Sequence, residues 1–197
     1  MESSVIILAA GFSVRAGQPK LGLPLSNGET FLQHLANFYE TAGCREIIAV
    51  INAIGMQWLK DYPVPLPEKI KFVINPHPEL GRFGSIQYGC RALENDVSLF
   101  IHNIDNPTIH PELPLLLLEA LNGYDFAKPT HRGKGGHPVL LQPYMIKEVL
   151  QIGDPQLPFS EFLDSYHGNT LDSEHGSVLE NINNPKTLAG FRNISGV

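Results

Sequence analysis

The segment Leu8-Ala9-Ala10-Gly11-Phe12-Ser13-Val14-Arg15-Ala16-Gly17-Gln18-Pro19-Lys20 sets glycines among two cations, directly after a short apolar run. Glycines let consecutive backbone N–H groups turn toward one point, and Arg15 and Lys20 supply charge to neutralise an anion held there. Such a nest suits phosphate oxygens. No Gly-Lys-Ser/Thr follows at Walker A spacing, and the dinucleotide fingerprint G-x-G-x-x-G is absent. On glycine and charge alone, an ordinary strand-to-helix connection with surface cations stays open. A second group of cations, Lys128, His131, Arg132 and Lys134, surrounds Gly133-Lys134-Gly135-Gly136-His137-Pro138, where it would meet an anionic ligand or form a solvated loop. The eight histidines show no H-x-x-x-H or H-E-x-x-H spacing, so no zinc site is expected. His102, near Asp105 and His110, is expected as a satisfied core histidine inside a strand.

The elements that must position these residues alternate. Ser4 to Ala10 reads as a buried strand, too short and too β-branched for a helix. Phe31 to Ala42 has helical spacing, with Thr30 as N-cap and Gly43 as C-cap. Further strands are expected at Glu46–Ile51, Lys71–Asn75, Val97–Asn103, Tyr124–Lys128, Val139–Gln142 and Ser177–Ile182. Further helices are expected at Ala53–Asp61, Ser85–Glu94, Pro111–Leu121, Tyr144–Ile152 and Ser160–Ser165. This order predicts a three-layer α/β/α, Rossmann-like fold with a mainly parallel sheet. Ligands of such sheets bind at the carboxyl ends of the strands, so the loops after Ala10, Asn75, Asn103 and Ile182 are where chemistry is expected.

Composition narrows the partners. The 197 residues, 43% apolar and 17% charged, suit one globular domain spanning 1–197. A net charge of -6 argues against nucleic acid or an anionic membrane as partner, because either needs a broad basic surface. Met1-Glu2-Ser3-Ser4 lacks the positive segment of a secretory signal, and the apolar run stops at Gly11, so a cytoplasmic protein is expected. Cys44 and Cys90 are expected as buried reduced thiols.

The pattern L-x-x-G-x-S-x-R-x-G-x-x-K from Leu8 to Lys20 resembles the signature of the MobA-like nucleotidyltransferases, particularly the molybdenum cofactor cytidylyltransferases. The resemblance runs from Val5 to Phe191 with the motifs in the family's order, and implies a nucleotide-diphospho-sugar transferase-like fold. It implies that the loop opening at Leu8, Ala9, Ala10 and Gly11 holds a nucleoside triphosphate, with Arg15 and Lys20 on the phosphates. Asn75-Pro76-His77-Pro78-Glu79-Leu80-Gly81-Arg82-Phe83-Gly84-Ser85 is similar to the segment that contacts the nucleoside. Gly84 and Ser85 are therefore expected near the base, at a helix start whose N–H groups are free, with Asn75 beside them. Simple capping of that helix by Ser85 is the alternative.

Ile104-Asp105-Asn106-Pro107 looks like the family's G-D-x-P element, which makes Asp105 a Mg2+ ligand, as befits a hard cation; a turn aspartate before proline is the alternative. Gly136-His137-Pro138-Val139 resembles the G-H-P-V element, which places His137, and Lys134 nearby, on a phosphorylated acceptor. Glu180-Asn181-Ile182-Asn183-Asn184-Pro185 aligns with a D-I-D-T-P-E-D element in which both aspartates are replaced, leaving Asn183 as second metal ligand. The implied activity is Mg2+-dependent transfer of a nucleoside monophosphate, CMP from CTP by the Ala9-Ala10 pair, to an acceptor such as molybdopterin, with a molybdoenzyme or chaperone as protein partner. Sugar-phosphate nucleotidyl transfer is an alternative on the same fold. A nucleotide-binding maturation factor, its catalysis lost through Asn181 and Asn183, is another.

Overall fold

The computed structural model describes residues 2–12 and 18–182. Its centre is one eight-stranded sheet. The strands are β1 (Ser3–Ala9), β2 (Ile47–Ile51), β3 (Ile70–Ile74), β4 (Ser98–Asn103), β5 (Phe126–His131), β6 (Lys134–Gly135), β7 (Val139–Leu141) and β8 (Gly168–Asp172). They are ordered β3-β2-β1-β4-β7-β5-β6, with β8 also on β5. β1 to β4 are mutually parallel, β5 and β8 pair in parallel, and β7 runs antiparallel to both β4 and β5.

Every residue of β1 is buried, which requires cover on both faces of the sheet. Val5, Ile7 and Ala9 point to one side, under α1 (Phe31–Thr41) and α4 (Leu113–Ala120), whose Phe31, Leu35, Tyr39 and Leu117 complete that core. Ile6, Leu8 and Ala10 point to the other, under α3 (Arg82–Arg91), α5 (Met145–Gln151) and α6 (Phe159–Leu163). The three expected layers follow from the period of two along β1.

Several boundaries moved for local reasons. α1 starts at Phe31 behind a complete capping box between Thr30 and Gln33, and Gly43 (φ 81°) ends the chain's helical path one residue past Ala42. α2 (Ala53–Asp61) falls where its spacing places it. α3 lies three residues earlier than its apolar spacing predicts. Gly81, at φ 97°, closes the turn Pro78–Leu80 and lets the helix begin at Arg82. Its far end is cut short because the buried Glu46 carboxylate takes the Glu94 and Asn95 amides. β5 runs on to His131 and turns through Arg132 (φ 51°) and Gly133 (φ 75°) into β6, so the cation-rich loop is a hairpin.

The expected strand Ser177–Ile182 is a correction. Gly176–Leu179 is a 3-10 turn, and Asn106 Nδ2 donates to the carbonyls of Ser177 (3.0 Å) and Glu180 (2.7 Å), which a neighbouring strand would otherwise need to satisfy. The partner of β5 is instead Gly168–Asp172, whose sequence carries little apolar signal; Phe126 lies against Gly168 so closely that a side chain there would collide with the ring.

Two packing features fix the site's supports. His102 is fully buried. Its Nε2 donates to the Asn106 carbonyl (2.8 Å), which leaves Nδ1 to accept from the Tyr39 hydroxyl (2.8 Å), so β4, α1 and the Asp105-Asn106 turn are tied together. Burial pushes its pKa down to about 4, and the ring is neutral, as the core-histidine expectation requires. The turn Lys20–Gly22 is held by the Trp58 ring, which lies on Gly22 with no room for a Cβ. Both cysteines are buried and unpaired. Among the described residues no helix is long and apolar enough to cross a membrane.

Gly22→Ala should therefore destabilise the fold by about 1–3 kcal/mol through overpacking, read as a lower urea midpoint; an unchanged midpoint would contradict the Trp58 contact. The His102 linkage has a definite sign. The unfolded chain takes up a proton near pH 6.5 that the folded chain refuses until about 4, so stability is lost as pH falls across that window. Urea midpoints of His102→Gln should fall less steeply there than those of the wild type, and equal slopes would remove His102 from the linkage.

Candidate functional site

β1 and β4 are neighbours with Leu8 opposite Asn103, and the Ile104 amide donates to the Leu8 carbonyl (3.1 Å). The glycine-rich segment and the Asp105 turn therefore leave the sheet side by side. Leu8, Ala9, Ala10, Gly11 and Phe12 form one wall of a crevice there, and Asn103, Ile104 and Asp105 another. Asn52 steadies the first wall: its Nδ2 donates to the Ala10 carbonyl (2.8 Å) while its Oδ1 caps α2 through the Gly55 amide (2.8 Å).

Lys20 reaches across. Its Nζ lies 2.9 Å from Asp105 Oδ2, joining residues that are 85 apart in sequence. About a fifth of each side chain is exposed (21% and 20%), so water and ligands reach the pair from the crevice. The Asp105 backbone is tied as well, because its carbonyl accepts from the Ile182 amide at 2.7 Å. Asn106, next in sequence, clamps the Gly176–Leu179 turn as described above. Asp105 is thus a rigidly mounted carboxylate whose charge faces the glycine-rich wall.

His137 joins from the next strand. Because β7 runs antiparallel to β4, its start lies at the carboxyl end of β4: Ile101 pairs with Val139, which brings His137 opposite Asn103. His137 Nε2 is 3.0 Å from Asn103 Nδ2 and 2.9 Å from Arg82 Nη2. A guanidinium only donates, so Nε2 is the acceptor and the ring proton sits on Nδ1. Burial first, then the charge of Arg82, hold the His137 pKa at about 3, so the ring is neutral. His137 stands behind the crevice lining, where it holds Arg82 and Asn103 by hydrogen bonds and adds no charge.

The β3–α3 segment differs in part from expectation. Ser85 and Gly81 line the crevice. Gly84 faces away: its amide donates to the Pro155 carbonyl (3.0 Å), and a Cβ there would touch Pro155, so this N–H is not offered to a ligand. Asn75 is buried and occupied, its Nδ2 donating to Ser85 Oγ (3.0 Å) and its Oδ1 accepting from the His77 amide (2.8 Å), which makes it a brace for Ser85. Lys134 is exposed on β6 at the sheet's edge, paired to β5. Arg15 and Asn183 lie outside the described residues.

Among the described residues no group of three or more His, Cys, Asp or Glu side chains could hold a metal ion. A crevice with one carboxylate does fit a cation of the Mg2+ kind. Such an ion takes hard oxygens, one or two of them from the protein and the rest from water and phosphates, and Asp105 Oδ2 already faces a positive charge in the Lys20 ammonium. Sequence reasoning missed Arg82, Asn103 and Asn52. Arg82 sits inside a segment quoted for its glycine and serine, and Asn52 carried a legible signal as an N-cap. Asn103 is revealed only by the β4–β7 register.

Comparisons with known proteins bear on the family and the fold. The model of the MobA-like NTP transferase domain matches residues 5–166. The molybdenum cofactor cytidylyltransferase of Escherichia coli (strain K12) is 27% identical over 146 residues, 74% of this chain and 73% of that protein. A nucleotidyl transferase from Methanothermobacter thermautotrophicus superposes with a TM-score of 0.78 at 22% identity, covering 98% of this chain and 97% of the other. The manganese complex of Rv0371c from Mycobacterium tuberculosis H37Rv does so with a TM-score of 0.77 at 13% identity, covering 98% and 99%. With the family's domain matched over most of its length, the chain belongs to the MobA-like NTP transferase domain family and is a nucleotidyltransferase.

Proposed function

We propose that the protein transfers CMP from CTP to a phosphorylated small-molecule acceptor of the molybdopterin type and releases pyrophosphate. The observation that carries the reading is the 2.9 Å contact of Lys20 with Asp105, which faces the triphosphate loop with a carboxylate suited to a metal ion. The cytidine assignment is supported by the Ala9-Ala10 pair in the loop and by the similarity to the Escherichia coli cytidylyltransferase.

A phosphate oxygen of the acceptor attacks the α-phosphorus, a new P–O bond forms, and pyrophosphate leaves with the electron pair of the bond that breaks. The nucleophile is already anionic and needs little help from a base, so catalysis reduces to alignment and charge cancellation. Lys20 and Arg15 neutralise the triphosphate, and the Gly11 loop offers backbone N–H groups to it. Asp105 and the amide oxygen of Asn183, which follows Ile182 in sequence, would hold Mg2+; when bound, the ion supplies further charge neutralisation. The Ile182 amide on the Asp105 carbonyl supports this pairing, because it brings the chain to Asp105 one residue before Asn183. A neutral amide ligand makes the site weaker in metal than one with two carboxylates. Ser85, braced by Asn75, serves the nucleoside, and His137 orients the acceptor. Delivery of the finished cofactor to a molybdoenzyme or its chaperone follows from this reading.

Binding of CTP, GTP, UTP and ATP with Mg2+, followed by pyrophosphate release with candidate phosphate acceptors, tests it. CTP should bind best, and turnover should require the acceptor. Lys20→Ala or Asp105→Ala should each lose roughly 2.7–4 kcal/mol of transition-state stabilisation, about 10²–10³ in rate, as for removal of one preorganised electrostatic contact. Undiminished pyrophosphate release in both variants would sink the assignment. Nucleotide binding without turnover on any acceptor would leave a maturation factor in place of an enzyme.

A further inference from the structure

Arg82 is a cation of the crevice to which the reading above gives no task. It is the first residue of α3, exposed at the crevice wall, and the ion pairs among the described residues do not include it. Its contacts orient it: Nη2 donates to neutral His137 at 2.9 Å, the guanidinium carbon stands 5.9 Å above the Phe159 ring, and the Asp105 carboxylate attracts it across the crevice without forming an ion pair. Asn103 Nδ2, at 3.0 Å from the same His137 nitrogen, fixes the ring that receives Arg82.

The position of this cluster matters as much as its charge. Lys20 and the Gly11 loop leave the sheet from β1, whereas His137 precedes β7, on the other side of β4 in the strand order. Phosphoryl transfer needs the attacking and leaving oxygens roughly in line across the phosphorus. With the triphosphate over the β1 side, a phosphate entering in line from the β7 side would meet the Arg82 guanidinium, which reaches His137 from the start of α3. A guanidinium has five N–H donors in a fork that matches a phosphate, and only some are used by His137. Lys134 lies instead on the edge strand beyond β5, paired to His131.

We infer that Arg82, held by His137 and Asn103, binds the phosphate monoester group of the acceptor and directs it at the α-phosphorus. The inference rests on the proposed function and adds the acceptor's subsite to it. It makes Arg82 the specificity determinant for an acceptor bearing a phosphate dianion, and His137 a positioning residue that acts through Arg82.

The test uses the full chain saturated with a non-hydrolysable CTP analogue and Mg2+, so that the triphosphate loop is filled, and titrates inorganic phosphate by calorimetry. Arg82→Gln should weaken phosphate binding roughly tenfold or more, the worth of a lost charge-assisted hydrogen-bond pair, and leave the affinity for the analogue within about twofold. Arg82→Lys, which keeps the charge, should recover part of the loss, and retained analogue binding shows that each variant is folded. Phosphate binding unchanged in Arg82→Gln would overturn the inference while leaving the nucleotidyltransferase reading intact. An equal fall in analogue affinity would also overturn it, by moving Arg82 to the nucleotide. Wild-type protein that binds no analogue would strike the proposed function itself.

Discussion

The contact between Lys20 and Asp105 is the constraint around which the rest of this structure is arranged. Two opposite charges that start 85 residues apart must meet at 2.9 Å at the end of a buried sheet. That meeting requires β1 beside β4, with the register that places Leu8 opposite Asn103. It requires the Lys20–Gly22 turn, which Trp58 presses into place, and a carboxylate turn that cannot drift. A partly exposed ion pair contributes little to stability by itself, so the fold supports the pair and not the reverse. Under the proposed function, the pair is the place where an arriving cation and an arriving polyphosphate would each take over one partner.

The support of Asp105 is layered. A buried chain of hydrogen bonds passes from the Tyr39 hydroxyl through neutral His102 to the Asn106 carbonyl, and Asn106 in turn clamps the Gly176–Leu179 turn. The Tyr39 hydroxyl, both His102 ring nitrogens and Asn106 Nδ2 are all paired in this chain, whereas Asn106 Oδ1 is buried without a partner among the described residues. Ile182 follows in the same segment, and its amide closes on the Asp105 carbonyl. Glu180 to Ile182 are therefore held beside the carboxylate by packing remote from the crevice. Preorganisation of this kind suits a reaction whose nucleophile is already charged, where holding geometry is most of the catalytic task.

The fold was largely legible because its signals are local and redundant. β1 declares itself as an unbroken apolar run, and α1 by spacing plus Thr30 and Gly43. The failures share a physical origin. Ser177–Ile182 has the apolar content of a strand, but its carbonyls are claimed by Asn106, a contact 71 to 74 residues away that no local pattern encodes. Gly168–Asp172 is a strand with little apolar signal, because its place is fixed by pairing to β5 and by Phe126. At the site, the resemblance put Lys20 on the phosphates and Asp105 on the metal of one crevice, since both belong to ordered motifs; their direct contact at 2.9 Å comes from the structure. It could not give Arg82 and Asn103, whose importance arises from the antiparallel entry of β7. Nor could it foresee that Gly84 would spend its amide on Pro155.

The central claim is that Asp105 and the Lys20 loop form one site in which a divalent cation and a nucleoside triphosphate are held together. Calorimetric titration of a non-hydrolysable CTP analogue, with and without Mg2+, into wild-type and Asp105→Asn protein tests it most directly. The account predicts that Mg2+ tightens binding to the wild type and that most of this gain is lost in Asp105→Asn, whose neutral amide is the weaker ligand, while metal-free binding on the loop persists. The same Mg2+-dependent gain in both proteins would contradict it.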